Sequence, residues 1–131
     1  MKIFGIGTDI VNIKRMESTL KKHGFAFKNK IFSKKEINYC EKKKNSSSFY
    51  AKRFAAKEAF TKALGTGIRK GISLKNIEVS NNPQGKPLIF LKGNLNKYLQ
   101  KKLKSKKYDI HLSLSDDKPW AQATVIISYA K

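Results

Sequence analysis

The sequence predicts an α+β fold, with helices packed on a largely antiparallel sheet. Three observations lead there. The apolar patterns run in the order β-α-α-α-β-β-α-β-β along 131 residues, a length that fits one domain over residues 1–131. An apolar share of 40%, with aromatics at 11%, is enough for a packed interior despite heavy charge. The last two apolar runs flank Asp116-Asp117-Lys118-Pro119, a turn-forming stretch that makes them an antiparallel pair.

Each element has its own signal. Residues 2–11 alternate around Gly5 and Gly7 and close on Asp9-Ile10-Val11, as a strand does. Asn12 caps a helix over about 13–23, with Lys14, Arg15, Lys21 and Lys22 on its wet side and Gly24 as its stop. Ser33-Lys34-Lys35-Glu36 has capping-box spacing and opens a second helix to about Lys43. Asn45-Ser46-Ser47-Ser48 breaks the chain and supplies the next N-cap. Residues 49–64 form the strongest helix, ended by Gly65. Residues 74–80 and 86–91 are strands joined by Asn81-Asn82-Pro83-Gln84-Gly85. A short basic helix covers about 94–104, and residues 108–115 and 120–129 are the closing strands.

Composition narrows the function. The lone Cys40 excludes an internal disulfide framework and a multi-cysteine metal site. The first nine residues are too short and too soon charged for a secretory signal, and no apolar run approaches a membrane span. A cytoplasmic location with no membrane association is therefore expected. Lys and Arg number 29 against 9 Asp and Glu, a net charge of +20, so the partner is an anion. Nucleic acid, anionic lipid, a phosphorylated small molecule and an acidic protein all qualify. Nucleic acid is the rival that charge alone favours. Against it, the lysines are spread along the whole chain, without a helix-turn-helix, an aromatic RNA-binding motif or zinc spacing.

Four places carry chemistry, and each also has a plainer reading. Apolar side chains go nearly all the way round the 49–64 helix, so it is buried on more than one side, yet Glu58 falls between Phe54 and Ala51. A carboxylate there needs a cation; Lys62, at i+4, offers an ordinary helix ion pair. Asp9 ends the first strand after two closely spaced glycines, where a ligand can approach or the side chain can cap the next helix. Gly65-Thr66-Gly67, with Lys62 and Arg69 nearby, is either a helix cap or a loop whose amides meet a phosphate. His111, Ser113 and Ser115 share one face of a strand, which suits a binding surface or a plain polar exterior.

Together these segments are specific. Gly5-Ile6-Gly7-Thr8-Asp9-Ile10-Val11, the block Arg53-Phe54-Ala55-Ala56-Lys57-Glu58-Ala59-Phe60-Thr61-Lys62-Ala63-Leu64-Gly65-Thr66-Gly67, Gly85-Lys86-Pro87 and His111-Leu112-Ser113-Leu114-Ser115 follow in order. In this the chain resembles the holo-[acyl-carrier-protein] synthase family, the small 4′-phosphopantetheinyl transferases, from residue 2 to about 128.

The resemblance implies transfer of the 4′-phosphopantetheine arm of coenzyme A to a serine of an acidic acyl carrier protein, with release of 3′,5′-ADP, in fatty acid biosynthesis. It makes Asp9 and Glu58 the Mg²⁺ ligands, and with Lys62 the catalytic set. Two carboxylates plus substrate phosphates suit Mg²⁺, which prefers hard oxygens and keeps waters. Arg53, Lys62, Gly65, Thr66, Gly67 and His111 are implied as coenzyme A contacts, and Asn81–Pro87 as a border of the nucleotide. The proton acceptor is open between a water on the metal and the carboxylates of Glu58 or Asp9. Lys14, Arg15, Lys21 and Lys22 are implied as the carrier dock, Arg15 foremost, and a homotrimer with sites between subunits is implied as well. Where the family often has a second histidine this chain has Asp116, so that histidine's role is not carried over.

Overall fold

Alternation in the first and last strands sets the frame. The computed structural model describes residues 1–66 and 72–131. Strand β1 (Lys2–Asn12) leads into helices α1 (Ile13–Ile31), α2 (Lys34–Glu41) and α3 (Ser46–Leu64). A short 3₁₀ turn at Leu74–Asn76 precedes β2 (Ile77–Asn81) and β3 (Pro87–Leu91). Helix α4 (Leu95–Leu103) then leads to β4 (Lys107–Asp117) and β5 (Trp120–Ala130).

The α+β expectation holds, with one difference: the antiparallel strands form two sheets. One has the order β1-β5-β4, and the other is the hairpin β2-β3. Asp9 pairs with Ala123 and His111 with Ile126, so β5 is the central strand of the larger sheet. Helix α3 lies along β1 and β5 and also packs on α1 and α2. Its many apolar sides serve two cores. Phe60, Leu64, Ile77, Leu99, Val125 and Ile127 fill one, while Met16, Phe32, Cys40, Tyr50, Ala51 and Ala121 fill the other. Burial pushes the Cys40 thiol up to about 12, so it stays protonated and takes no part in chemistry at neutral pH.

The close approach of α3 to β1 depends on glycine. A Cβ added at Gly5 would sit 2.0 Å from the Ala63 carbonyl oxygen, and one at Gly7 would sit 2.0 Å from that of Ala59. Glycines on the strand facing alanines on the helix let the two backbones touch.

Most helix ends follow their local sequence signals. The Asn12 side chain accepts from the Arg15 amide at 3.0 Å. The capping box is complete, with Glu36 N–H donating to Ser33 Oγ at 3.2 Å and Ser33 N–H to Glu36 Oε1 at 2.8 Å. Gly65 ends α3, its amide donating to the Thr61 and Lys62 carbonyls. Two boundaries differ. Helix α1 breaks at Gly24, which sits at φ 54°, but then resumes through Ile31. Helix α3 begins at Ser46 rather than Phe49, and the side chain of its N-cap Asn45 makes no capping bond. Among the described residues no helix is long and apolar enough to cross a membrane.

Candidate active site

Strand alternation turns Asp9 to the same side as Gly5 and Gly7, toward α3. Glu58 precedes Ala59, whose carbonyl abuts Gly7, so the tight strand–helix contact delivers both carboxyl groups to one place. They line a cleft of about 350 Å³ together with Asn12, Arg15, Thr19 and Phe54. Lys62 reaches across to Asp9 Oδ1 at 3.0 Å and to the Thr8 carbonyl at 3.0 Å.

This corrects the helix ion-pair expectation. Among the described residues Glu58 has no ion pair, because Lys62 turns to Asp9. Glu58 is half-buried rather than buried. Its carboxyl is held above the ordinary glutamate range, first by burial and then by the negative charge of Asp9, with Lys62 opposing. The buried ion pair of α3 belongs to the preceding residue: Lys57 Nζ lies 2.8 Å from Glu36 Oε1, and both side chains are 0% exposed. That pair was not read from the sequence.

Two converging carboxylates, one of them without an ion pair among the described residues, offer hard oxygen donors that suit a divalent metal. Among the described residues no three His, Cys, Asp or Glu side chains cluster, so an all-protein cage is ruled out there. The donor set fits Mg²⁺, which one or two carboxylates hold while water and substrate oxygens complete its shell.

Other residues singled out by sequence lie elsewhere. His111 is on the outer face of the larger sheet, opposite to Asp9, with Nε2 3.0 Å from Ser128 Oγ. Arg53 is buried, its guanidinium 4.2 Å from the Tyr39 ring centroid and donating from Nη2 to Asn81 Oδ1 at 2.9 Å. Its Nε has no hydrogen-bond partner among the described residues. Gly65 and Thr66 follow α3 directly, one turn beyond Lys62, while Gly67 and Arg69 lie outside the described residues. Asp116 faces Lys52 at 3.3 Å and accepts from Ser48 Oγ at 3.5 Å, tying the β4–β5 turn to the start of α3.

The four basic residues expected at the carrier dock are all exposed on α1, and three of them border cavities. Arg15 lines the carboxylate cleft, whereas Lys14 and Lys21 line a larger cavity of about 610 Å³ between α1, the start of α3 and Pro119. Size alone would have chosen the larger cavity. It contains neither Asp9 nor Glu58. Thr19 and Phe54 are cleft residues that sequence reading missed. Thr19 sits one turn after Arg15 on α1, its hydroxyl donating to the Arg15 carbonyl at 3.0 Å, and that spacing was the available signal.

With strand carboxylate, helix carboxylate and helix lysine in place, the comparisons with known proteins agree. The sequence profile of the 4′-phosphopantetheinyl transferase superfamily matches residues 5–125, and the chain belongs to this superfamily. Within it the chain is 48% identical over 126 residues to the holo-[acyl-carrier-protein] synthase of Brucella ovis, covering 95% of this chain and 94% of that one. The crystal structure of the Neisseria meningitidis holo-[acyl-carrier-protein] synthase superposes with a TM-score of 0.88 at 40% identity, covering 96% and 98% of the two chains. The Helicobacter pylori enzyme, solved in complex with coenzyme A, gives 0.81 at 36% identity and covers 94% and 99%.

Proposed function

We propose that this chain is a holo-[acyl-carrier-protein] synthase, an enzyme that transfers 4′-phosphopantetheine from coenzyme A to a serine of acyl carrier protein and releases 3′,5′-ADP. The observation that carries the reading is the meeting of Asp9 and Glu58 in one cleft of the superfamily fold, with Lys62 paired to Asp9. The serine oxygen forms a bond to the β-phosphorus, and the bond from that phosphorus to the bridging oxygen of the leaving nucleotide breaks. Catalysis of this type rests on positioning and charge neutralisation.

Asp9 and Glu58 would hold Mg²⁺, which supplies neutralisation of the pyrophosphate when bound. Lys62, anchored on Asp9 and half-exposed toward solvent, faces the leaving oxygen and stabilises its charge. The serine proton passes to a carboxylate of the cleft or to water. Gly65 and Thr66, which follow Lys62 at the end of α3, would contact coenzyme A, and the resemblance implies the same of Gly67. Arg15, at the cleft wall, meets the acidic carrier.

The active form is a homotrimer with sites between subunits. In support, Ile3, Ile6 and Ile10 are 66%, 65% and 60% exposed on the outer face of the larger sheet, an apolar strip that another copy of the chain covers. His111 lies on that same face, away from its own Asp9, so it serves the site of a neighbour. The enzyme works in the cytoplasm, where its carrier and coenzyme are. The nucleic-acid rival accounts for the charge of +20 but not for the paired carboxylates, and none of the relatives named above supports it.

The test is metal and salt dependence. Release of 3′,5′-ADP from coenzyme A is expected only with both an acidic carrier and Mg²⁺, and to stop with Asp9→Ala. No turnover, together with tight polyanion binding that falls steeply with salt, would favour the rival.

A further inference from the structure

Lys57 is the deepest charge in the molecule, yet it touches neither the cleft nor its carboxylates. Lysine is seldom buried without full compensation. Here each of its three donors is used: Nζ lies 2.8 Å from Glu36 Oε1, 2.8 Å from the Leu74 carbonyl and 2.6 Å from the Ile77 carbonyl. Glu36 is equally occupied, accepting from the Ser33 amide at 2.8 Å and, through Oε2, from the Val79 amide at 2.8 Å. One side chain thus ties α3 to the start of α2, to the 3₁₀ turn and to β2. A well-packed apolar pair would give comparable stability, so stability alone does not account for this network.

What α3 lacks is a single hydrophobic face. Its inner surface is built largely of alanines (Ala51, Ala55, Ala56, Ala59, Ala63), and apolar side chains surround it. Contacts at Gly5 and Gly7 set how closely α3 approaches β1, while small alanines leave its rotation less sharply set by side-chain shape. Directional bonds from Lys57 select one rotation. The next residue is Glu58, and a carboxyl group about 5 Å off a helix axis moves by about 2 Å when the helix turns by about 20°.

We propose that Lys57 is a positioning residue, whose buried bonds to Glu36 and to the Leu74 and Ile77 carbonyls set the rotation of α3 and so hold Glu58 against Asp9. The proposal rests on the reading of Asp9 and Glu58 as the metal-binding pair.

The experiment compares wild type with Lys57→Met/Glu36→Gln, which removes both charges and keeps side chains of similar volume. Three quantities are read on the folded protein: Mg²⁺ affinity by calorimetry without coenzyme, kcat with the Michaelis constant for the carrier, and the Glu58–Asp9 geometry in a crystal structure. The double variant is expected to fold, to bind Mg²⁺ at least tenfold more weakly and to lose roughly a hundredfold in kcat, as misplacement of about 1 Å does. Its Michaelis constant for the carrier stays unchanged, and Glu58 is displaced from Asp9. Lys57→Gln/Glu36→Gln, which also removes both charges but keeps an amide donor at position 57, moves the same quantities in the same direction and serves if the first double variant does not fold. A purely structural role would lower melting temperature but leave metal affinity and kcat of the folded fraction intact, and that result overturns the proposal. An unmoved Glu58 in the crystal overturns it as well. If wild type itself neither binds Mg²⁺ nor transfers the arm, the functional reading fails, and the crystal comparison still decides whether Lys57 sets the helix.

Discussion

Adding one methyl group at Gly7 forces apart the two elements that carry the carboxylates. The Cβ of Gly7→Ala would stand 2.0 Å from the Ala59 carbonyl oxygen and 2.6 Å from the Ala63 amide nitrogen. Carbon and oxygen normally keep about 3.3 Å or more between them, so α3 must retreat by about 1.3 Å. Both clashing atoms are backbone, and no rotamer change relieves them. Overpacking costs about 1–3 kcal/mol, and a rigid backbone contact belongs at the upper end. For a chain of this size that lowers the melting temperature by roughly 10 °C. The same shift carries Glu58 away from Asp9, and misplacement of about 1 Å lowers turnover roughly a hundredfold. Scanning calorimetry and steady-state kinetics on the variant check both numbers. Ala59→Gly in the same chain does not restore either, since the obstruction is the carbonyl rather than the alanine methyl. A variant that melts within about 2 °C of wild type with normal turnover would refute the close-contact account of the site.

The other predictions concern charge and assembly. Glu58→Gln abolishes transfer but raises the metal-free melting temperature by about 1–2 °C, since solvent contact limits what relief of the like charge contributes. The sign follows from the raised carboxyl of Glu58: the folded state holds that proton more tightly than the unfolded chain, so ionised Glu58 costs stability as pH rises through its folded value. Accordingly, added Mg²⁺ raises the melting temperature at neutral pH, and the gain fades on acidification as Glu58 takes its proton; a gain that persisted in Glu58→Gln would contradict the ligand assignment. Arg15→Glu raises the Michaelis constant for the carrier and leaves that for coenzyme A unchanged, whereas Lys14→Glu, facing the other cavity, does much less. Added salt imitates Arg15→Glu in wild type, because exposed charge pairs are screened over about 8 Å; equal effects of the two reversals would undo the face assignment. Finally, Asp9→Ala and His111→Ala, each impaired alone, regain activity when their subunits are mixed and allowed to exchange, as sites between subunits require. Mixtures no better than the separate variants would place the whole site within one chain.

How much was legible depended on how local each cause is. Capping bonds at Asn12, Ser33 and Gly65 join residues a few positions apart, and those helix ends were read from spacing alone. The resumption of α1 after Gly24 was not, because a stretch of about seven residues is too short to display a helical period. Phe27 and Ile31 take their places there by packing on the α2–α3 side of the core. Splitting of the strands into two sheets follows from tertiary packing around α3, for which no dipeptide is a marker. At the site, the near-complete apolar girdle of α3 correctly announced a buried helix, but it also made Glu58 look like the residue in need of a partner. The three-dimensional answer reassigns both ions: Lys57 answers Glu36 from 21 positions away, and Lys62 answers Asp9 from 53 positions away. Ion pairs across such separations have no period or spacing to betray them. Lys14, Arg15, Lys21 and Lys22 are all exposed on α1, as the wet-side reading expects, but which cavity each borders was not legible: Arg15 lines the carboxylate cleft, and Lys14 and Lys21 line the other.

Intact-mass spectrometry of an acidic acyl carrier protein, incubated with this protein, coenzyme A and Mg²⁺, tests the central claim most directly. The account predicts a gain of one phosphopantetheine arm on a single serine, with one equivalent of 3′,5′-ADP released, and no gain with Asp9→Ala or with a chelator present. An unmodified carrier under these conditions, or modification that proceeds unchanged with Asp9→Ala, would contradict it.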